Sequence, residues 1–505
     1  MKMVKSLLLG SAAGLVAVAG AQAADLPVKA KPVEYVKVCS LYGAGFWYVP
    51  GTDTCLKIGS FVREEIGWNQ SGTTVTGFQT GGGQFTRTDT SQLAMRTRAD
   101  ISVDLRTQTE YGVLRSYLEG GFESTSVTGG TTSNDVVWFD RGFIQFAGLT
   151  AGRIRSYFDI NSPYEFGYFT QATTGDSNTF RGLWGIAYTA DFGNGFSGSL
   201  SLEDGGSSSQ GNNAGQARSR THKVVNLSLA GQWGLGTESF DNEGWKFPDV
   251  VGALRIDQAW GYAQISAALH DASAGYYTSP VGDACGANAF CQNLGHPGDA
   301  WGWAVSGGFH LNDVLGLKGD TFALQATYSV GAAGYATNNI SGAQVYGGGN
   351  QAAFGWVNDG VFITGSGVEL TTVWSLNGGF QHFWNPKWRT GVYGGYTEID
   401  YSGTAAGFIC GGGVGGAVAA PAGVAMTGVS NCQPNWSFYQ VGSRTQWNPH
   451  PDLDIGVDVM WTHINTAFGG TATLAANGAR PPGVYSIADQ DVISAVFRIQ
   501  RNFLP

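Results

Sequence analysis

Between Leu93 and Arg106 the chain alternates without a slip, with Leu93, Met95, Ala99, Ile101, Val103 and Leu105 on one face and Arg96, Arg98, Asp100, Ser102, Asp104 and Arg106 on the other. A period of two predicts a strand. A strand this long, whose polar side carries closely spaced charges of both signs, suits a wall between lipid and water. Two further copies are clear. From Asp452 to Thr462, Leu453, Ile455, Val457, Val459 and Trp461 oppose Asp452, Asp454, Gly456, Asp458 and Thr462; near the end, Ile493, Ala495, Phe497, Ile499 and Phe503 oppose Ser494, Arg498, Gln500 and Asn502.

In lipid every backbone amide must be paired, and strands achieve this only by closing into a barrel. The pattern therefore predicts an all-β, antiparallel up-and-down transmembrane barrel with an apolar outside and a polar lumen. About sixteen strand candidates are found, an even number as single-chain bacterial barrels require. They lie near 54–69, 91–107, 110–123, 136–148, 150–158, 181–192, 196–204, 249–257, 258–270, 301–311, 321–332, 370–383, 388–401, 436–447, 452–465 and 489–503. Tight turns at Gln108, Gly148, Asn194, Asn385 and Pro449 mark one rim. Long Gly, Ser, Thr and Asn-rich segments at 70–90, 205–248, 271–300, 333–369, 402–435 and 466–488 mark the other, matching short periplasmic turns and long external loops. Residues 222–232 have strand composition, but counting them would break the alternation of long and short connections. We assign them to an external loop, with room for a small element of their own.

Composition narrows the class. Seventy-eight glycines, 13% aromatic residues, 13% charged residues and a mean hydropathy of −0.07 fit a membrane barrel better than an ordinary soluble enzyme. Lys2 and Lys5, the apolar run Leu7 to Val18 and the small-residue site Ala21-Gln22-Ala23 read as an export signal over 1–23, leaving one barrel domain over 24–505. Removing 1–23 takes away two lysines and no acid, so the formal charge moves from −10 to −12. So acidic a chain is a poor partner for nucleic acid, which needs clustered Lys and Arg. Six cysteines form three close pairs, Cys39 with Cys55, Cys285 with Cys291 and Cys410 with Cys432. In an oxidising periplasm these pairs are expected to be disulfides; a metal site would want two-residue spacing and accompanying histidines. Tryptophans gather at the strand ends, at Trp68, Trp138, Trp184, Trp260, Trp301, Trp384, Trp388, Trp436, Trp447 and Trp461, where rings with a polar handle settle at lipid headgroup level.

Several segments carry a resemblance. Ala24-Asp25-Leu26-Pro27-Val28-Lys29-Ala30, then Val38-Cys39-Ser40-Leu41-Tyr42-Gly43-Ala44-Gly45-Phe46 and Pro50-Gly51-Thr52-Asp53-Thr54-Cys55-Leu56-Lys57-Ile58-Gly59, resemble the alphaproteobacterial porins typified by those of Brucella and rhizobia. Further matches are Thr109-Glu110-Tyr111-Gly112, Asp140-Arg141-Gly142-Phe143-Ile144-Gln145-Phe146-Ala147-Gly148 and Leu254-Arg255-Ile256-Asp257-Gln258-Ala259-Trp260-Gly261. The resemblance implies a sixteen-stranded homotrimeric barrel in the bacterial outer membrane, contacting its lipid and passing small hydrophilic solutes and ions. It also implies that the third long connection, here 159–181 with Asp159, Glu165 and Asp176, folds into the lumen. The loops at 205–248 and 402–435 are expanded beyond the family's pattern, and Leu504 and Pro505 follow Phe503, which we take as the terminal aromatic.

The lumen faces of the early strands are expected to supply Arg63, Arg96, Arg98, Arg115, Arg153 and Arg155 opposite those acids. Such a pairing would set a transverse field that aligns dipolar solutes and penalises apolar ones. The bland alternative is mutual neutralisation within the wall. Catalytic chemistry finds little support, and no cofactor or metal is expected. His270, His310, His382 and His463 fall singly on strands, where lumen or rim exposure explains them, and Gly411-Gly412-Gly413-Val414-Gly415-Gly416 reads as flexible loop. A passive diffusion channel is thus the favoured class, ahead of a solute-specific channel and a barrel-borne enzyme.

Overall fold

The computed structural model describes residues 37–69, 93–128, 132–161, 165–169, 182–204, 224–228, 246–278, 291–337, 342–347, 350–411, 424–475 and 482–503. The predicted export signal lies outside these residues.

Sixteen barrel strands follow the alternation closely. The first eight are β1 (Thr54–Trp68), β2 (Leu93–Thr109), β3 (Gly112–Thr128), β4 (Thr132–Phe146), β5 (Leu149–Ile154), β6 (Leu183–Gly193), β7 (Phe196–Glu203) and β8 (Asp249–Gln258). The second eight are β9 (Gly261–Asp271), β10 (Trp301–Asn312), β11 (Thr321–Val330), β12 (Thr372–Asn385), β13 (Trp388–Asp400), β14 (Trp436–His450), β15 (Leu453–Asn465) and β16 (Gln490–Asn502). Each pairs antiparallel with its neighbours in chain order, and β16 returns to β1 from Phe61↔Asn502 to Trp68↔Ala495, so the barrel closes. Past the end of β16, the short strand Trp47–Tyr48 takes its place beside Leu56 and Cys55 of β1. The disulfide Cys39–Cys55 staples that segment, with the Cα atoms 6.0 Å apart.

The faces are inverted relative to a soluble protein. Leu93, Met95 and Ile101 of β2 are exposed, whereas Arg96, Arg98 and Asp100 are buried, and on β15 Val457 and Val459 are exposed while Asp458 and Thr462 are not. Turn chemistry supports the pairing. Ala147-Gly148 and Asn194-Gly195 are two-residue hairpin loops with positive φ throughout, the geometry that matches strand twist. A Cβ on Gly195 would stand 1.9 Å from the Asp257 carbonyl oxygen, so only glycine fits there.

Some expectations are corrected. The second external connection shrinks to 129–131, because β3 and β4 extend as far as Thr128↔Thr132. One turn on the short rim, 313–320, is longer than the rest and is tied down by Asp320, which accepts hydrogen bonds from His382 Nδ1 at 2.7 Å and Phe383 N at 2.9 Å. Trp138 and Trp436 are buried rather than at the lipid boundary, while the other eight named tryptophans are exposed. For Trp138 the cause is a bulge. Glu119 pairs with Arg141 and Gly120 with Phe139, leaving Asp140 extra, so side-chain parity flips and Trp138 turns inward. His270 and His310 are buried against carboxylates, not exposed at the rim.

The external loops fold on one another. Gly342–Gly347, Gln351–Trp356, Gly483–Ile487, Gly469–Leu474 and Val424–Asn431 make a five-stranded sheet. Val224–Asn226, within the ambiguous segment 222–232, pairs parallel to Gly360–Phe362 in a second, three-stranded sheet. Helix α1 (Gly403–Gly411) was not foreseen in its Gly and Ala-rich loop. The Ser402 hydroxyl accepts from Ala405 N at 3.0 Å and caps it. The Cys410–Cys432 disulfide joins the helix to the five-stranded sheet's edge region. Cys291 is also disulfide-bonded; Cys285 lies outside the described residues, as do 412–416 of the glycine run.

Candidate functional site

After β5 the chain turns into the barrel. Ser156 Oγ and Tyr157 N donate to the Glu203 carboxylate at the end of β7, at 2.5 and 2.9 Å. Asn161 then bridges two strands, donating to the Leu324 carbonyl of β11 at 3.3 Å and accepting from Tyr262 Oη of β9 at 3.2 Å. Glu165 meets His310 Nε2 of β10 at 2.6 Å, and its backbone carbonyl accepts from Arg444 Nη2 of β14 at 2.7 Å. Tyr168 N donates to Asp458 of β15 at 2.5 Å, and its ring lies 3.8 Å from the guanidinium of Arg498 on β16. Burial raises the Tyr168 phenol above its ordinary range, so it stays neutral beside these arginines. The described part of the loop thus follows the inner wall from β7 round to β16.

The wall is shaped to receive it. Gly379, Gly391 and Gly456 occupy inward positions of β12, β13 and β15, and a Cβ on them would stand 2.5 Å from the Phe166 ring, 2.3 Å from the Phe166 carbonyl oxygen and 2.3 Å from Tyr168 Oη, respectively. Phe166, Tyr168 and Phe169 pack there with Ala323, Tyr393, Met460 and Val496. Inward glycines among larger residues were a readable signal for a close approach of backbone.

Where the loop's Tyr168 meets Arg498, a lattice of charge begins and runs on over β1 to β3. Glu65 on β1 lies in register with Arg96 on β2 and Arg498 on β16, and its two oxygens accept from Arg96 Nε at 2.7 Å and Arg498 Nε at 2.6 Å. One position along, Arg98 pairs across the sheet with Glu123, Nε to Oε2 2.8 Å, and stacks 4.8 Å over the Trp138 ring that the bulge turned inward. Arg63 differs. Its Nε donates to Gln500 Oε1 at 2.7 Å and its guanidinium lies 4.6 Å over Phe61, but among the described residues it has no ion-pair partner.

The remaining predicted residues are scattered. Arg115 lies nearer the short-turn rim, where it and Arg106 grip Asp104 from both sides at 2.7 to 3.1 Å. Arg155 and Asp159 face each other at the loop's start, Nε to Oδ2 3.8 Å. Arg153 is a correction: it pairs in register with the exposed Trp184, and its guanidinium sits 5.7 Å from the rings of both Phe139 and Trp184. It therefore shares the outward face and not the lumen, as the run Leu149, Ala151, Arg153 could have revealed. Asp176 lies outside the described residues. Glu65, Glu123, Arg444, Asp458 and Arg498 were missed, although each has the inward parity of its strand. Among the described residues, no group of three or more His, Cys, Asp and Glu side chains is placed to hold a metal ion.

A family model for the porin subfamily matches residues 25–496. Porin Omp2b of Brucella abortus (strain 2308) is 33% identical over 268 residues, covering 51% of this chain and 63% of that protein. Porin Omp2b of Brucella suis is 34% identical over 266 residues, covering 51% and 64%. The chain thus spans a little under two thirds of these relatives. Among solved structures, the outer membrane channel DcaP of Acinetobacter baumannii superposes with a TM-score of 0.56 at 13% identity, over 90% of this chain and 99% of that one, a likeness of fold. Closed sixteen-stranded barrel, inverted faces and family match converge: the chain belongs to the porin subfamily, in the bacterial outer membrane.

Proposed function

We propose that the barrel is a water-filled channel for passive diffusion of small hydrophilic solutes and ions, working as a homotrimer and without enzymatic turnover. The reading is supported above all by the charge lattice. Arg63, Arg96, Arg98, Arg115 and Arg498 stand with Glu65 and Glu123 on the inner side of a closed barrel whose outside is apolar, the arrangement expected of a lumen built for water and ions. Arginines on β1 to β3 and the acids of the inward loop, Asp159, Glu165 and Asp176, would together order the field across the lumen. Selection would then be by size and charge.

Planar-bilayer recording tests this. Ohmic, stepwise conductance is expected, and a barrel that stays closed at all voltages would refute the channel. Replacing Asp159, Glu165 and Asp176 together by their amides is expected to shift ion preference toward anions. If preference and conductance both hold, the loop acids do not shape the pore. Chemical crosslinking in native membranes should give a three-subunit band.

A further inference from the structure

On five adjacent strands the lumen-facing residues change character at one level. Ser375, Thr397, Gln440, Thr462 and Ser494 are inward and polar on β12, β13, β14, β15 and β16; the next inward residue toward the long-loop end is Val373, Ile399, Phe438, Ile464 and Val492. All five apolar residues are almost completely buried. In an open vestibule they would face water. Here they form one hydrophobic core with Phe354 and Trp356 of the five-stranded loop sheet, with Ala405 and Ile409 of α1, and with Phe468, Tyr485 and Ile487.

The cover continues over the next strands. Tyr335 reaches down to pack against Phe158 of the inward loop, ring centroids 4.6 Å apart, and against Val251, Ala268 and Ala304 of β8, β9 and β10. Its hydroxyl donates to Asp249 Oδ2 at 2.6 Å, while Asp249 Oδ1 lies 2.8 Å from His270 Nδ1 and Asp359 Oδ1 accepts from Ala333 N at 2.8 Å. Every group in this network is almost completely buried. At the same end of β1 to β3 the inward residues are Asn69, just past β1, with Ala94 and Thr125; they are buried too, but they are polar or small and do not belong to this hydrophobic core.

We propose that these loops are a fixed cover closing the sector of the mouth above β8 to β16, so that solutes pass beside this cover and not through it. Its surface is a core sealed from both sides, with a disulfide across it, and it does not have the sparse contacts of a gate that swings. The inference rests on the channel reading for its consequence, but the cover itself can be tested separately.

Single cysteines are placed under the cover, Val373→Cys and Ile464→Cys, and on the charged wall, Ser102→Cys, in the reconstituted full chain. A small membrane-impermeant cationic thiol reagent is added to both sides and labelling is followed by mass. The two covered positions are expected to label at least about tenfold more slowly than Ser102→Cys. Phe354→Asp, which puts a charge into the cover's core, is expected to remove that protection while the barrel stays folded by heat-modified gel mobility. Equal labelling at all three positions overturns the cover. Labelling does not require conduction, so a silent bilayer with protected Val373→Cys and Ile464→Cys counts against the channel and not against the cover. Where the channel conducts, the reagent should reduce current through Ser102→Cys and leave the other two unchanged; current loss at Ile464→Cys would overturn the proposed route.

Discussion

β16 carries two kinds of lumen within a few residues. Val492 is sealed beneath folded loops, and Arg498, three inward positions further on, clasps Glu65 beneath the inward loop. Both belong to the same alternating face. What separates them is the partner supplied from outside the strand: a dry loop core in one case, an opposite charge in register in the other. Both sites are matched, because a valine left in water gains nothing from burial, and stripping a buried arginine of its carboxylate costs several kcal/mol.

The comparison is broken most sharply at Glu65. Changing Glu65→Gln leaves Arg96 and Arg498 buried without their shared carboxylate and is expected to cost about 3–5 kcal/mol, as for other broken buried ion pairs. The midpoint of the heat-induced gel shift should fall accordingly. An unchanged midpoint would show the lattice to be water-filled and electrostatically loose. In the dry region the equivalent lesion is smaller. Removing the staple with Cys410→Ser and Cys432→Ser should cost about 2–4 kcal/mol and act locally, so the cover becomes protease-sensitive while the barrel's gel shift moves little. Loss of the whole fold would mean that the cover is integral to barrel stability.

The two regions were not equally legible. Strand positions could be read because a lipid wall enforces a period of two over long stretches, as at Leu93 to Arg106. The lattice could be read only as candidates: Arg96 and Arg98 stand out, but Glu65 gains its meaning from register with Arg498, more than four hundred residues away in the chain. A single extra residue, Asp140, was enough to hide the inward turn of Trp138. The cover was least visible. Val373, Ile399 and Val492 look like ordinary strand ends, and short loop strands such as Val224–Asn226 bury their apolar residues only against segments that are remote in sequence.

Between the wall and the cover, Asp458 holds the inward loop. It accepts from Tyr393 Oη at 2.6 Å and Tyr168 N at 2.5 Å, so Asp458→Asn should cost about 1–3 kcal/mol by weakening both bonds. The expected readout is noisier single-channel current with the gel shift nearly preserved. A quiet channel would place the loop's anchorage in the glycine-lined seat around Phe166 instead.

The smallest stability effect should fall on the residue that most sharpens the contrast. Arg63 shares the inner face with Arg96 and Arg98, yet its described contacts are the Gln500 amide and the Phe61 ring. Among the described residues Arg63→Gln removes no ion pair and strands no carboxylate, so its cost should stay at about 1 kcal/mol, the value of one modest hydrogen bond. Its charge, which forms no ion pair among the described residues, should instead act on permeating ions. In a salt gradient the cation-to-anion permeability ratio is expected to rise by about twofold. Arg98→Gln should do the reverse, lowering stability while shifting selectivity less, because Glu123 already cancels its field. If both substitutions moved selectivity equally, pairing within the wall would not decide which arginines the solute feels.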